Sequence, residues 1–242
     1  EFDKNGEELI SHCVISTYEY YEYKVLSERI GDRVKNIIPP TEANVIYENG
    51  KISNADAMTK DYIENPLIMQ YVNDDKYTII LENPPYDDSS SIRAYYDEEG
   101  NKHRTGNKES FVYTQMKDAK NTFRNSNISS VRDFANRFIW SAFKYYLRQD
   151  ADSYIVFSPV KYFKSIGLID KPHHRFESGF LFNRKHFHAS PSAISCVLWS
   201  YGKNNPPKDF VLKTYDIDKD GQLIQLNDST VTALSLHTTR DI

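Results

Sequence analysis

Tyr77-Thr78-Ile79-Ile80-Leu81-Glu82-Asn83-Pro84-Pro85-Tyr86 is the stretch on which the reading of this chain turns. The short apolar run Tyr77 to Leu81 predicts a buried strand, and Pro84-Pro85 must end it because neither residue can donate to a ladder. What the strand then presents is a polar amide, exposed carbonyls and an aromatic ring. At the carboxyl end of a strand in an open α/β sheet, that is where ligands bind. Four residues alone also describe a strand that stops in an ordinary loop, since Asn-Pro is a common turn starter. The apolar run directly upstream favours the functional reading.

Outward from this stretch, strands alternate with helices. Gly6 to Ile30 reads as a helix with Gly31 at its end, and Asn44 to Ile52 as a hairpin turning at Asn49-Gly50. Asn54-Ala55-Asp56-Ala57 reads as a loop. Residues 87–130 are polar and poor in aliphatics, an insertion or catalytic loop of unusual length. Val131 to Arg148 carries Phe134, Phe138, Ile139, Ala142, Phe143, Tyr146 and Leu147 on one face, the pattern of an amphipathic helix. Tyr154 to Phe157, Gly179 to Phe182 and Ala193 to Trp199 read as strands. After Asn204-Asn205-Pro206-Pro207, Phe210 to Tyr215 and Gln222 to Leu226 flank the turn signal Asp218-Lys219-Asp220-Gly221. The expected organisation is a domain over 1–203 and a hairpin-rich tail over 204–242, in the α/β class.

Composition narrows the function classes. At 242 residues the chain is long enough for one sizeable domain, and its 18 Tyr and 13 Phe supply core that a 39% hydrophobic content would otherwise leave thin. No apolar run is long enough to span a bilayer and no signal-peptide pattern opens the chain, so a cytoplasmic location is expected. Cys13 and Cys196 read as reduced core thiols. A net charge of −4 is not the footprint of a free-standing nucleic-acid binder, although a local basic set, Arg175, Arg184 and Lys185, is available to phosphates or to a charged rim.

The chemistry that suits Asn83-Pro84-Pro85-Tyr86 is methylation of a planar amine. Such an amine is a poor nucleophile because its lone pair is delocalised. Acceptors for both amine hydrogens let the nitrogen pyramidalise and become reactive. Asn83 offers a side-chain carbonyl and Pro84 a rigidly held backbone carbonyl. Tyr86 offers a flat surface on which an extruded base can stack. Glu82-Asn83-Pro84-Pro85-Tyr86 resembles the catalytic motif of amino-methyltransferases that use S-adenosylmethionine, in particular adenine-specific DNA methyltransferases of restriction-modification systems.

The resemblance runs from Glu1 to about Lys203. It implies a Rossmann-like class I methyltransferase sheet and double-stranded DNA with a flipped adenine as partner. A specificity or nuclease domain, fused or separate, is its usual companion. Glu1-Phe2-Asp3 resembles the acidic end of the family's second strand, which gives Glu1 the cofactor ribose and Phe2 the cofactor adenine face. Asp56 matches the acid that accepts from the cofactor's adenine amine. Phe157-Ser158-Pro159-Val160-Lys161-Tyr162-Phe163 resembles the fifth strand and the loop after it. His186-Phe187-His188-Ala189-Ser190-Pro191 resembles the late motif whose aromatic covers the flipped base, a role assigned to Phe187 with Phe182 as alternative. Phe187 could equally be an aromatic packed under a loop.

The sequence also departs from that family. Its first strand and Gly-rich turn, which cradle the methionine part of the cofactor, have no counterpart among the 9 glycines. The chain therefore reads as a sheet truncated before its first strand, and by itself is expected to be inactive and to bind cofactor weakly. Thr78 stands where the family often has an acid. His173-His174 and His186-x-His188 lack a completing carboxylate or Cys and read as solvated loop histidines, so no metal is expected. Asp216-x-Asp218-x-Asp220-Gly221 imitates a calcium loop, but Asn227 stands at the twelfth position and the flanks read as strands. Two other readings stay open: a same-fold methyltransferase acting on protein glutamine or RNA, and a non-catalytic α/β interaction module.

Overall fold

The computed structural model describes residues 1–18, 20–40, 56–85, 93–96, 102–105, 110–119, 129–169, 171–187, 191–203 and 207–233. The chain divides into two compact units, Glu1–Asn73 and Asp74–Ile242.

In the first unit the helix expected from Gly6 to Ile30 is replaced by shorter elements. A 3-10 turn, Leu9–His12, leads into strand β1 (Val14–Ser16), and helix α1 (Tyr20–Ile30) begins only after it. The β-branched pair Val14-Ile15 fits a pleated surface better than a helix. It pairs in parallel with β2 (Asn36–Ile38), Ile15 opposite Ile37. α1 is the crossover that two parallel strands require, and the Gly31 N–H closes it on the Ser27 carbonyl at 3.2 Å. Two short helices follow, α2 (Lys60–Ile63) capped by Thr59 and α3 (Pro66–Val72) capped by Asn65. Among the described residues of this unit Val34, Ile37, Ile38, Met58, Ile63 and Val72 form the buried apolar set. The expected hairpin over Asn44 to Ile52 lies outside the described residues.

The second unit holds β3 (Ile79–Glu82), the strand expected at Tyr77 to Leu81. The polar stretch 87–130 carries structure of its own: an antiparallel pair, β4 (Arg93–Tyr96) with β5 (Lys102–Thr105), and helix α4 (Phe111–Asp118). The long amphipathic helix arrives in three pieces, α5 (Ser129–Arg132), α6 (Phe134–Ser141) and a π-helical turn Ala142–Tyr146. The first break falls at Asp133, which leaves helical geometry and accepts from the Ala135 N–H at 3.1 Å, capping α6. β6 (Ser153–Pro159), a 3-10 turn Val160–Lys164 and α7 (Ile166–Ile169) come next. They are followed by β7 (His174–Asn183), a 3-10 turn Arg184–Phe187 and β8 (Ala193–Tyr201). β9 (Asp209–Ile217), β10 (Leu223–Gln225) and β11 (Ser229–Thr232) complete the chain's described elements.

Seven of these strands form one sheet in the order β10-β9-β7-β8-β6-β3, with β11 also on β9. β3 with β6 and β7 with β9 are parallel; the remaining pairs are antiparallel. The architecture is α/β with a mixed sheet. Stretch 204–242 supplies the expected hairpin at 218–221, where Gly221 takes φ +79° and the Asp218 carboxylate accepts from the Asp220 and Gln222 N–H groups, both at 2.9 Å. β9 of that stretch is nonetheless a member of the main sheet.

One face of the sheet is the core. Tyr154, Val156, Val197, Trp199, Phe210 and Leu212 are all essentially inaccessible. Phe143 of the π turn meets Tyr154 edge-on at 5.7 Å, and Phe163 packs on Phe210 at 5.0 Å. At Gly179 a Cβ would stand 2.7 Å from Leu212 and 2.9 Å from the Cys196 carbonyl, so only glycine lets β7 lie flat between its neighbours. β3 departs from the expected burial: Ile79 and Leu81 are 67% and 66% exposed, because one face of this outermost strand is uncovered among the described residues. Cys13 is exposed rather than a core thiol, while burial pushes the Cys196 thiol up to about 11.

The amino ends of β3 and β6 are fastened by the buried carboxylate of Asp152. It accepts from the Thr78 N–H at 2.8 Å, the Arg148 N–H at 2.8 Å and the Gln149 N–H at 3.0 Å. Asp152→Ala leaves three part-buried N–H groups without their charged acceptor and should lower stability by roughly 3 kcal/mol, read as the urea unfolding midpoint. A loss below about 1 kcal/mol would show that the three bonds are replaceable.

Candidate active site

The register fixes which residues meet at the carboxyl end of β3. Glu82 pairs with Val156, Val156 with Val197, and Val197 with Gly179. Beyond that row, toward the same end, lie Phe157, Cys196 and Phe180, then Pro159, Ile194 and Phe182. Asn83, Pro84 and Pro85 leave the sheet at this end. Asn83 and Pro85 are exposed and Pro84 is buried, so the amide stands at the surface while the proline anchors the turn. Tyr86 lies outside the described residues.

Side-chain alternation sends Glu82 the other way. Its carboxylate accepts from the Tyr154 hydroxyl at 2.7 Å, against the covered face of the sheet. Burial pushes the Glu82 carboxyl up to about 7, with the Tyr154 hydrogen bond opposing the shift. Sequence reading gave Glu82 no role. The signal was available in parity: Glu82 shares the phase of Ile80, so an acid falls where the strand turns inward.

Phe182 lies at the same end of the sheet as Asn83, three strands away, a lateral distance of about 14 Å by strand spacing. Phe157 occupies the interval, its ring 6.3 Å from that of Phe182. Phe180 and Tyr215 extend this aromatic row, at 5.8 Å from Phe182 and 5.9 Å from Phe180. Phe187 ends the 3-10 turn that follows β7 at that end. Its neighbour His186 bonds to Asp216 on β9, as does Lys185 at 3.2 Å. His186 chiefly, with the Ile217 N–H and Lys185, holds the Asp216 carboxyl down at about 2. The turn bearing Phe187 is thereby tied to β9.

The residues expected on the cofactor side belong to the first unit. Glu1 and Phe2 are exposed, and Phe2 makes one isolated bridge to Glu8 rather than ending a strand. The chain reverses at once, with Asp3 accepting from the Asn5 and Glu7 N–H groups at 2.8 and 2.9 Å. Asp56 lies in a loop, as expected, and accepts from the Met58 N–H at 2.9 Å, a local turn that fixes its carboxylate.

Two sequence expectations change. The basic set is divided: Arg175 starts the ten-residue strand β7 and pairs with Glu177 at 2.6 Å, whereas Arg184 and Lys185 follow its far end. His174 is not solvated. It is buried against the Phe143 ring, and desolvation lowers it to about 3. His173 is exposed and stacks on Tyr201, while His188 lies outside the described residues. Among the described residues no helix is long and apolar enough to cross a membrane. A scan against protein-family models and a search of curated proteins both returned no match.

Glu82 gives the fold a pH signature. Its folded value, about 7, stands above the ordinary carboxyl value of 4.5, so folding takes up a proton between the two. The stabilisation is complete below about 4.5 and is lost as pH rises through about 7. Denaturant midpoints measured from pH 5 to 8 should fall in the native chain and flatten in Glu82→Gln. Parallel curves for the two proteins would exclude Glu82 as the source.

Proposed function

We propose that Asn83-Pro84-Pro85-Tyr86 is the amine-orienting motif of an S-adenosylmethionine-dependent methyltransferase acting on the exocyclic amine of a flipped adenine in DNA. The observation that carries this reading is the position of the motif: Asn83 stands exposed directly after β3, beside the parallel strand β6. The carboxyl ends of parallel strands are where α/β domains bind ligands. The mixed sheet is compatible with a Rossmann-like class I arrangement in which β8 and β7 add antiparallel strands to that pair.

The residues of this chain would act by orientation. The Asn83 side-chain carbonyl accepts one amine hydrogen and the Pro84 carbonyl the other, which directs the nitrogen lone pair outward without a strong base. Tyr86 stacks on the base, and Phe187 or Phe182 with Phe157 borders it, stacking being worth ~1–3 kcal/mol per base. The cofactor supplies the electrophilic methyl group. The resemblance alone gives Glu1 the ribose hydroxyls, Phe2 the adenine face and Asp56, which accepts from the Met58 N–H, the adenine amine; all three belong to the first unit.

In the protein as its gene encodes it, transfer of labelled methyl to unmethylated genomic DNA should fall by about 100-fold or more in Asn83→Ala, the scale expected when an oriented polar group is lost from a reacting centre. Unchanged transfer would remove Asn83 from the mechanism. Calorimetric titration of the 242-residue chain with S-adenosylmethionine should show weak binding or none, because its sequence contains no Gly-rich turn for the methionine end. Micromolar affinity would place that cradle among residues not yet recognised.

A further inference from the structure

We propose that the cleft where α4, the π-helical turn and the start of β7 meet binds a nucleoside monophosphate whose base carries an exocyclic amine. The cleft stands apart from the residues around Asn83. It opens at the end of the sheet where β7 starts and β8 finishes, whereas Asn183 and Ala193 pair at the other end. The nine residues of β8 separate the two ends by about 27 Å at the usual strand rise. The site is therefore independent of the role given to Asn83.

The cleft has a volume of about 540 Å³, within the range of sites that hold small ligands. Trp140 and Phe143, each 8% exposed, supply aromatic surface at its lining. Tyr201 and His173 add a stacked pair, ring centroids 5.1 Å apart and planes within 13° of each other, with His173 exposed. Backbone bonds hold that pair to the sheet. The Gly202 N–H donates to the His173 carbonyl at 3.2 Å, and the Tyr201 N–H donates to the Asp152 carbonyl at 2.7 Å. A planar base can add to rings already fixed in place, without the entropy cost of ordering them first.

Two charges of opposite sign complete the lining. Lys144 stands on the π-helical turn and Asp118 at the last position of α4, both exposed. Neither side chain makes a hydrogen bond or ion pair among the described residues. Opposite charges that share a cleft without joining each other offer a ligand two separate points. The end of α4 presents carbonyls without helical partners as well as the Asp118 carboxylate, so it suits an N–H donor and disfavours an anion. The Lys144 ammonium suits a phosphate. An amino-substituted ring joined through a sugar to a phosphate meets the aromatic surface, the acceptor and the cation at once.

The test is calorimetric titration of the 242-residue chain with adenosine monophosphate, which should bind at a single site. Lys144→Gln should weaken this binding about tenfold, the worth of one charge-assisted hydrogen bond, and should leave the affinity for adenosine unchanged. Inosine monophosphate, with a carbonyl in place of the amine, should bind the native chain more weakly than adenosine monophosphate does. Asp118→Asn should erase that preference. Both substitutions fall on exposed side chains, so circular dichroism should show native folding in each variant. Asn83→Ala should bind adenosine monophosphate as the native chain does. No heat of binding at millimolar adenosine monophosphate overturns the proposal. So does inorganic phosphate or tryptophan binding as tightly, an affinity indifferent to both Lys144→Gln and Asp118→Asn, or binding that is lost in Asn83→Ala.

Discussion

A single carboxylate organises the strand origins of the larger unit. Asp152 sits in the tight connection between the π-helical turn and β6, where Ala151 takes φ +80°, and it gathers N–H groups from that connection and from the approach to β3. Its own carbonyl accepts from the Tyr201 N–H at 2.7 Å, so β8 is drawn to the same point. Three strands are thereby brought level at one end of the sheet. Since β3 and β6 are parallel, fixing their starts also fixes which residues stand together at their finish. The alignment of Asn83 with Phe157 is a remote consequence of bonds made about four residues earlier along each strand.

Much of the sheet was legible in the chain because its strands announce themselves by alternation and turn chemistry. β6, β7 and β8, and the β9–β10 hairpin with its Asp218 turn, appear where apolar runs and Gly221 predict them. What was not legible depended on partners. Val14-Ile15 carries both a helical spacing and a β-branched pair, and pairing with Ile37 decides for the strand. Asp133 looks like a tolerated polar residue on a long helix until its carboxylate is seen capping a new one. An apolar run such as Tyr77 to Leu81 says that a strand exists but not how many of its faces are covered.

The candidate site shows the same division. Asn83-Pro84-Pro85 stands where its sequence neighbours imply, after a strand and at the carboxyl end of the parallel pair β3 and β6. The aromatic companions Phe182 and Phe187 share that end, but the row Phe157, Phe182, Phe180, Tyr215 required the register of four strands. Glu82 escaped notice because a charged residue at a strand end is ordinarily solvated; only the cover over Tyr154 makes its charge costly. Histidines misread for a related reason. His174 begins a strand and is packed under Phe143, and His186 belongs to a bond with a residue thirty positions away.

Among the described residues β3 has an open flank, and this has a consequence for handling the protein. Ile79 and Leu81 project beside backbone groups of the outermost strand, and Tyr77 adds a third exposed apolar side chain just before it. A strand of this kind is a template for intermolecular pairing, the first step of ordered aggregation. Lys76, exposed just ahead of the run, is the charge placed to act as a gatekeeper against it, whereas Glu82 at the other end is turned to the covered face.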